Sequence, residues 1–194
     1  MRKTLIFLAF AVFIVLLISC SDGNKTPQDD FPLLNADEAL SWAKQNGVAV
    51  TEDGKCTYGL EIFERFYENA ENGIPCAVSC AQYYTLKKES VSEELYNAEK
   101  NTYPRLFFVS LEYDGENYKI TVRKSDIAET DYSGFFRYLK HFTGEAPATA
   151  TFSTYSYYVL VDDPEATWEG IQKGLFSSQS DAGYRHYSVL SDRE

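Results

Sequence analysis

Arg105-Leu106-Phe107-Phe108-Val109-Ser110-Leu111-Glu112-Tyr113-Asp114-Gly115-Glu116-Asn117-Tyr118-Lys119-Ile120-Thr121-Val122-Arg123 is the stretch that decides the fold. Residues 105–113 and 117–123 are rich in aromatic and β-branched side chains, which fit a pleated, half-buried surface. Asp114-Gly115 between them accepts the positive φ that a tight turn between antiparallel strands requires. The chain therefore holds an antiparallel sheet, and the segments around this hairpin say what covers it.

Upstream, Asn35-Ala36-Asp37-Glu38 reads as a capping box that opens a helix ending at Asn46-Gly47. Val48-Ala49-Val50 is a short extended piece closed by Asp53-Gly54. Leu60, Phe63, Phe66, Tyr67 and Ala70 recur at three- and four-residue steps with glutamates and an arginine between them, the pattern of an amphipathic helix, and Asn72-Gly73 stops it. Cys76 to Leu86 reads as a strand. Residues 89–104 form a polar excursion with a turn of helix expected after Ser92. Thr151 to Val161 reads as a strand, Asp163-Pro164 as a helix start with Trp168, Ile171 and Leu175 inward, and Tyr184 to Leu190 as the closing strand. In Gly134 to Phe142, the positions of Phe135, Tyr138, Leu139 and Phe142 favour a helical face over aromatic alternation. The expectation is a single α+β domain over residues 35–194: an antiparallel sheet of about five strands backed by two to four helices.

The N-terminus has a different character. Met1-Arg2-Lys3 is basic, and an apolar run of 14 residues from Leu5 to Ile18 follows. A run of that length suits the core of an export signal, since a helix needs about 20 apolar residues to cross a bilayer. The run closes in Leu17-Ile18-Ser19-Cys20, which resembles the lipobox of bacterial lipoproteins. That resemblance implies a signal peptide over 1–19, diacylglyceryl or palmitate-type acylation at Cys20, and anchoring to the extracytoplasmic face of the cell membrane. Residues 20–34 are then the lipidated cysteine and a flexible tether, polar and turn-rich from Ser21 to Asp30. Two acyl chains give stable anchoring where one does not.

The formal charge is −11, and loss of Arg2 and Lys3 makes it two units more negative. Such a chain does not seek nucleic acid or an anionic lipid surface. Beyond Cys20 there are Cys56, Cys76 and Cys80, an odd number for an exported protein. The helix after Cys56 carries the chain about 24 Å, and by Cys80 the next strand has returned about half of that. Cys76 and Cys80 stand about 13 Å apart on one strand. Bridged cysteines need Cα atoms within about 7 Å, so three unpaired, mostly buried thiols are expected. Scattered cysteines without a nearby histidine do not form a metal site, and no motif calls for a cofactor.

His141 and His186 are the two histidines. The best nucleophile–base pairing is Ser177 or Ser178 with His186, with Asp181 in the same polar loop, although no glycine-framed nucleophile turn surrounds these serines. With 15 tyrosines in the chain, an aromatic binding surface is open as well, and Tyr83, Tyr155 and Tyr157 are its candidates. Tyrosine is equally a favoured sheet residue. Ile62-Phe63-Glu64-Arg65-Phe66, the Cys76–Leu86 strand, Leu111-Glu112-Tyr113-Asp114-Gly115 with Tyr118, and Tyr158-Val159-Leu160 with Trp168 resemble uncharacterised lipoprotein domains of Gram-positive bacteria. This resemblance implies an extracytoplasmic lipoprotein and assigns no catalytic residues. Three functions stay open: a non-catalytic binding module that contacts a protein, wall polymer or small ligand through its sheet or residues 89–104; a surface hydrolase; and a regulator or inhibitor of an extracellular enzyme presenting a rigid exposed loop.

Overall fold

A computed structural model describes residues 31–148, 150–176 and 183–194, and for 174–176 the backbone alone. The export signal, Cys20, the stretch to Asp30, Ser177, Ser178 and the Leu175 side chain lie outside this description. Within it the chain is α+β, with four α-helices and nine strands among the described residues. The helices are α1 (Ala36–Gln45), α2 (Leu60–Glu71), α3 (Glu93–Glu99) and α4 (Trp168–Phe176). The strands are β1 (Ala49–Glu52), β2 (Lys55–Tyr58), β3 (Cys76–Tyr84), β4 (Arg105–Tyr113), β5 (Tyr118–Lys124), β6 (Tyr132–Phe136), β7 (Tyr138–Glu145), β8 (Thr154–Val161) and β9 (His186–Arg193).

One expected sheet of about five strands is in fact two sheets: six strands in the order β2-β1-β3-β4-β5-β6, and three in the order β7-β8-β9. All pairs are antiparallel except β1 with β3, which α2 makes parallel by returning the chain in its starting direction. Residues 105–123 form the β4–β5 hairpin, and Asp114 Oδ1 accepts from Glu116 N (2.8 Å) and Asn117 N (2.7 Å) to hold its turn. Asn35 Oδ1 accepts from Glu38 N at 3.0 Å, as a capping residue should.

Successive strand residues face opposite layers, and β3, β4, β5 and β8 carry continuous buried runs because both of their faces are covered. Ala39 and Ala43 of α1 pack on Val50, Ala81, Leu106 and Phe108, the outer face of the large sheet. Its inner face, with Val78, Val109, Leu111 and Ile120, meets Phe63, Phe66 and Ala70 of α2 and Leu139, Tyr158, Leu160 and Leu190 of the small sheet. The far face of the small sheet, Tyr157, Val159 and Val161, is covered by Ile171 and Trp168 of α4. The packed chain begins ahead of residue 35: Phe31 is buried, stacked on Phe108 at a centroid distance of 4.2 Å, and its carbonyl accepts from Arg123 Nη2 at 2.6 Å. The segment assigned to the tether thus contributes its last four residues to the domain.

Two further expectations are corrected. Gly134 to Phe142 is not a helix but the end of β6 and the start of β7, which leave one sheet for the other at Arg137. Phe136 and Leu139 enter the same core from different sheets, so the corner between them imitates a helical spacing. The last helix starts at Trp168 rather than at Asp163-Pro164. Asp163 instead holds a single turn, its Oδ1 accepting from Glu165 N at 2.8 Å, and Thr167 Oγ1 accepts from Gly170 N at 3.2 Å at the true helix start.

Cys56, Cys76 and Cys80 are unpaired. Cys56 pairs with Thr51 on one side of β1 and Cys80 with Ala49 on the other, so a whole strand lies between the two thiols. Two strand spacings are about 10 Å, beyond the reach of a disulfide. The separation expected from helix and strand lengths is thus imposed by an intervening strand. Burial pushes the Cys56 and Cys76 thiols up to about 11, and pushes fully buried Cys80 further still. A two-unit rise cuts the thiolate by on the order of a hundredfold. Iodoacetamide at about pH 8 should therefore alkylate Cys56 and Cys76 slowly, and Cys80 only on unfolding. Rapid labelling of all three in the native protein would contradict this packing.

Candidate functional site

A cavity of about 610 Å³ opens along the edge strand β9, where the Asp53-Gly54 turn and β3 of the large sheet approach α4. The β1–β2 turn that forms one lip depends on two residues of positive φ, Asp53 (49°) and Gly54 (86°). Such a pair is the signature of a two-residue hairpin loop. Asp53 locks the turn against the end of β3 by accepting from Thr85 N (2.7 Å) and Thr85 Oγ1 (2.5 Å). Burial pushes the Asp53 carboxyl up, but the Thr85 bonds and nearby Lys87 outweigh it and hold the group below the usual carboxylate range.

The back wall is a join between the two sheets. In the β8–β9 ladder Tyr158 faces Leu190 and Val159 faces Ser188, which leaves Val189 as the extra residue of a β-bulge. A bulge leaves ladder carbonyls without strand partners. Gln82 of β3 supplies them from the other sheet: its Nε2 donates to Ser188 O (3.0 Å) and Val189 O (2.8 Å). Tyr84 Oη donates to Gln82 Oε1 at 3.3 Å, which holds the amide in that orientation. The bulge also turns both Val189 and Leu190 into the core.

The remaining wall is aromatic. Trp168 stacks on Tyr157 (4.4 Å, 25° between planes) with Tyr155 5.5 Å away. Arg193 donates from Nε to Tyr157 Oη at 2.7 Å and lies over the rings of Phe152 (5.3 Å) and Tyr157 (5.6 Å). His186 lines the cavity with Nδ1 2.8 Å from Tyr184 O. A carbonyl can only accept, so Nδ1 is the donor in this contact.

Of the residues singled out from sequence, Tyr157 and His186 line this cavity and Tyr155 supports it through Trp168. Tyr83 does not join them. It is buried on the opposite face of the large sheet, where its hydroxyl donates to Asp37 Oδ1 at 2.7 Å. The exposed tyrosine platform is therefore absent as such: Tyr83 and Tyr157 are buried and Tyr155 is half-buried. Gln82 and Arg193 escaped sequence reasoning. A glutamine in a strand whose other residues are apolar or aromatic except for Ser79 was the one available signal for the first, and nothing in the local sequence distinguishes Arg193 from a surface charge.

Among the described residues a serine–histidine contact joins the sheet residues His141 and Ser156, with Nε2 to Oγ 2.8 Å. The His141 ring stacks on Tyr158 at 4.1 Å, and burial pushes its imidazole down against the opposing field of Glu64. Among the described residues no carboxylate hydrogen-bonds this imidazole. The arrangement orders the surface of β7 and β8 and lacks the orienting acid of a triad. Residues 93–99 form α3, capped by Ser92 Oγ accepting from Leu95 N at 3.2 Å, and Arg105 Nη2 ties the helix back through Glu99 Oε2 at 2.5 Å.

No family model, curated protein or solved structure matches this chain. Among the described residues no group of three histidine, cysteine, aspartate or glutamate side chains could hold a metal ion, and no helix is long and apolar enough to cross a membrane. The site must be understood from its own chemistry.

Proposed function

We propose that this protein is a lipid-anchored, non-catalytic binding module on the extracytoplasmic face of a membrane, tethered through Cys20, with the β9-edge cavity as its ligand site. The cavity carries the binding half of this reading. At about 610 Å³ it falls within the range of small-molecule sites, and it pairs an aromatic wall with a few fixed polar groups. Its walls come from both sheets and α4, so it is set by the fold rather than by one loop. The location half is supported by the basic start, the apolar run and Leu17-Ile18-Ser19-Cys20.

The test combines localisation with mapping. The native protein is expected in the membrane fraction and a Cys20→Ala variant outside it. In a small-molecule screen followed by NMR, binders should shift Trp168 and Arg193, and Ser188→Trp, which sets an indole on a lining position, should abolish the shifts. Binders that gather elsewhere, or that ignore Ser188→Trp, would refute the site. His186 favours one second reading, a hydrolase with Nε2 as base and Ser177 or Ser178 as nucleophile. Covalent labelling by a fluorophosphonate that is lost in Ser177→Ala or Ser178→Ala would establish it in place of the binding module.

A further inference from the structure

The geometry points to a small monocarboxylate, borne on a ring-sized body, as the ligand class of the cavity, with Arg193 as its anchor; this rests on the cavity being the binding site. Arg193 is positioned before any ligand arrives. Its Nε is committed to Tyr157 Oη at 2.7 Å, and the Phe152 and Tyr157 rings lie beneath the guanidinium. On another side it rests against Gly54, where a Cβ would come within 2.8 Å of Cζ. The missing side chain at Gly54 is thus what lets the arginine lie flat. With Nε used, the two Nη groups present the fork that a carboxylate fills with two parallel hydrogen bonds.

Nothing among the described residues already fills that fork, because no carboxylate there forms a salt bridge with Arg193. Asp53, on the same wall, is occupied by Thr85 and by Lys87 at 3.5 Å. Asp192 accepts from Cys56 N at 3.0 Å. Arg193 is the one arginine or lysine among the described lining residues, which matches a single negative charge. The chain's net charge of −11 repels polyanions, so a compact monoanion is favoured over a nucleotide or a phosphorylated polymer. Behind the arginine, Trp168, Val159 and Ile171 offer an apolar wall, while Ser188, Ser191 and Gln172 offer hydroxyls and an amide. The body is therefore either an aromatic acid or a sugar acid, and the same carboxylate chemistry anchors both.

The two tryptophans make the test direct. With indole nitrogens labelled, Trp168 reports on the cavity, and Trp42 of α1, packed with Phe31 and Phe108, serves as internal control. The lipidated protein in detergent is titrated with phenylacetate, glucuronate, their neutral counterparts phenylacetamide and methyl glucoside, and phenyl phosphate. One of the carboxylates is expected to move the Trp168 signal and leave Trp42 still, and whichever does so names the body. The matching neutral probe should bind about 10- to 100-fold more weakly, the worth of a charge-assisted pair. Arg193→Gln should weaken the carboxylate by the same factor, and Arg193→Lys by less, since it keeps the charge and loses the fork. Equal binding of neutral and charged probes, an unchanged affinity in Arg193→Gln, or tighter binding of phenyl phosphate would overturn the carboxylate assignment and leave the cavity as the site. A Trp168 signal that none of the five probes moves would overturn the monocarboxylate assignment, while the cavity as a site stands or falls by the screen and Ser188→Trp.

Discussion

Phe63→Ala is expected to cost about 3–5 kcal/mol of unfolding free energy, on the order of 10 °C in Tm for a domain of this size. Phe63 is fully buried at the point where α2 touches both sheets. Its ring lies 5.8 Å from Phe66 and 4.8 Å from Tyr158, so it joins the helix to the middle strand of the small sheet. Deleting it removes apolar contact and leaves a void that rigid strands on either side cannot collapse to fill. Phe63→Leu should recover most of the loss, because it restores most of the volume. Urea unfolding with an unchanged m-value is the measurement. A loss below about 1 kcal/mol for the alanine variant would mean that α2 does not seat between the sheets as described.

Gln82→Leu is expected to cost about 2–4 kcal/mol, although leucine is close to glutamine in volume and more apolar. The penalty comes from Ser188 O and Val189 O, which both lose the amide donor that satisfies them at the bulge. A buried carbonyl without a partner costs about 1–3 kcal/mol. Gln82→Glu should be worse than leucine at neutral pH, because it keeps the shape but sets an anion against two carbonyl oxygens. The same variants should disturb the cavity, whose back wall is this join, so Trp168 fluorescence should change with stability. If Gln82→Leu were neutral, the two sheets would be held by apolar packing alone, and the bulge would find its partners elsewhere.

Much of the fold was legible in the residues. The β4–β5 hairpin, α1 with its Asn35 cap, α2, β3 and the helix after Ser92 lie where turn chemistry and periodicity put them. Two kinds of feature were not legible. The β6–β7 corner at Arg137 gave Phe136 and Leu139 the spacing of a helix while sending them to the same core from two sheets. The division into two sheets also left no local trace, since every strand alternates in the same way whichever sheet it joins. The cavity was partly visible: Tyr157 and His186 were singled out, but as members of an exposed surface and a catalytic pair, whereas they line one pocket with Gln82 and Arg193.

What the sequence by itself determined is local: which segments are helix or strand, where turns fall, and a lipobox-like N-terminus that motivates the anchoring proposal. Those features depend on backbone dihedral preference, side-chain period and capping, all properties of residues near one another in the chain. Only the tertiary structure decided that β1 stands between Cys56 and Cys80, that Gln82 caps a bulge in another sheet, and that Arg193 lies over Gly54 beside Tyr157. Apart from the β1–β2 hairpin that sets Cys56 beside Thr51, each of those contacts joins residues more than twenty positions apart. Such pairings arise from how whole layers pack, so a local sequence window carries no record of them.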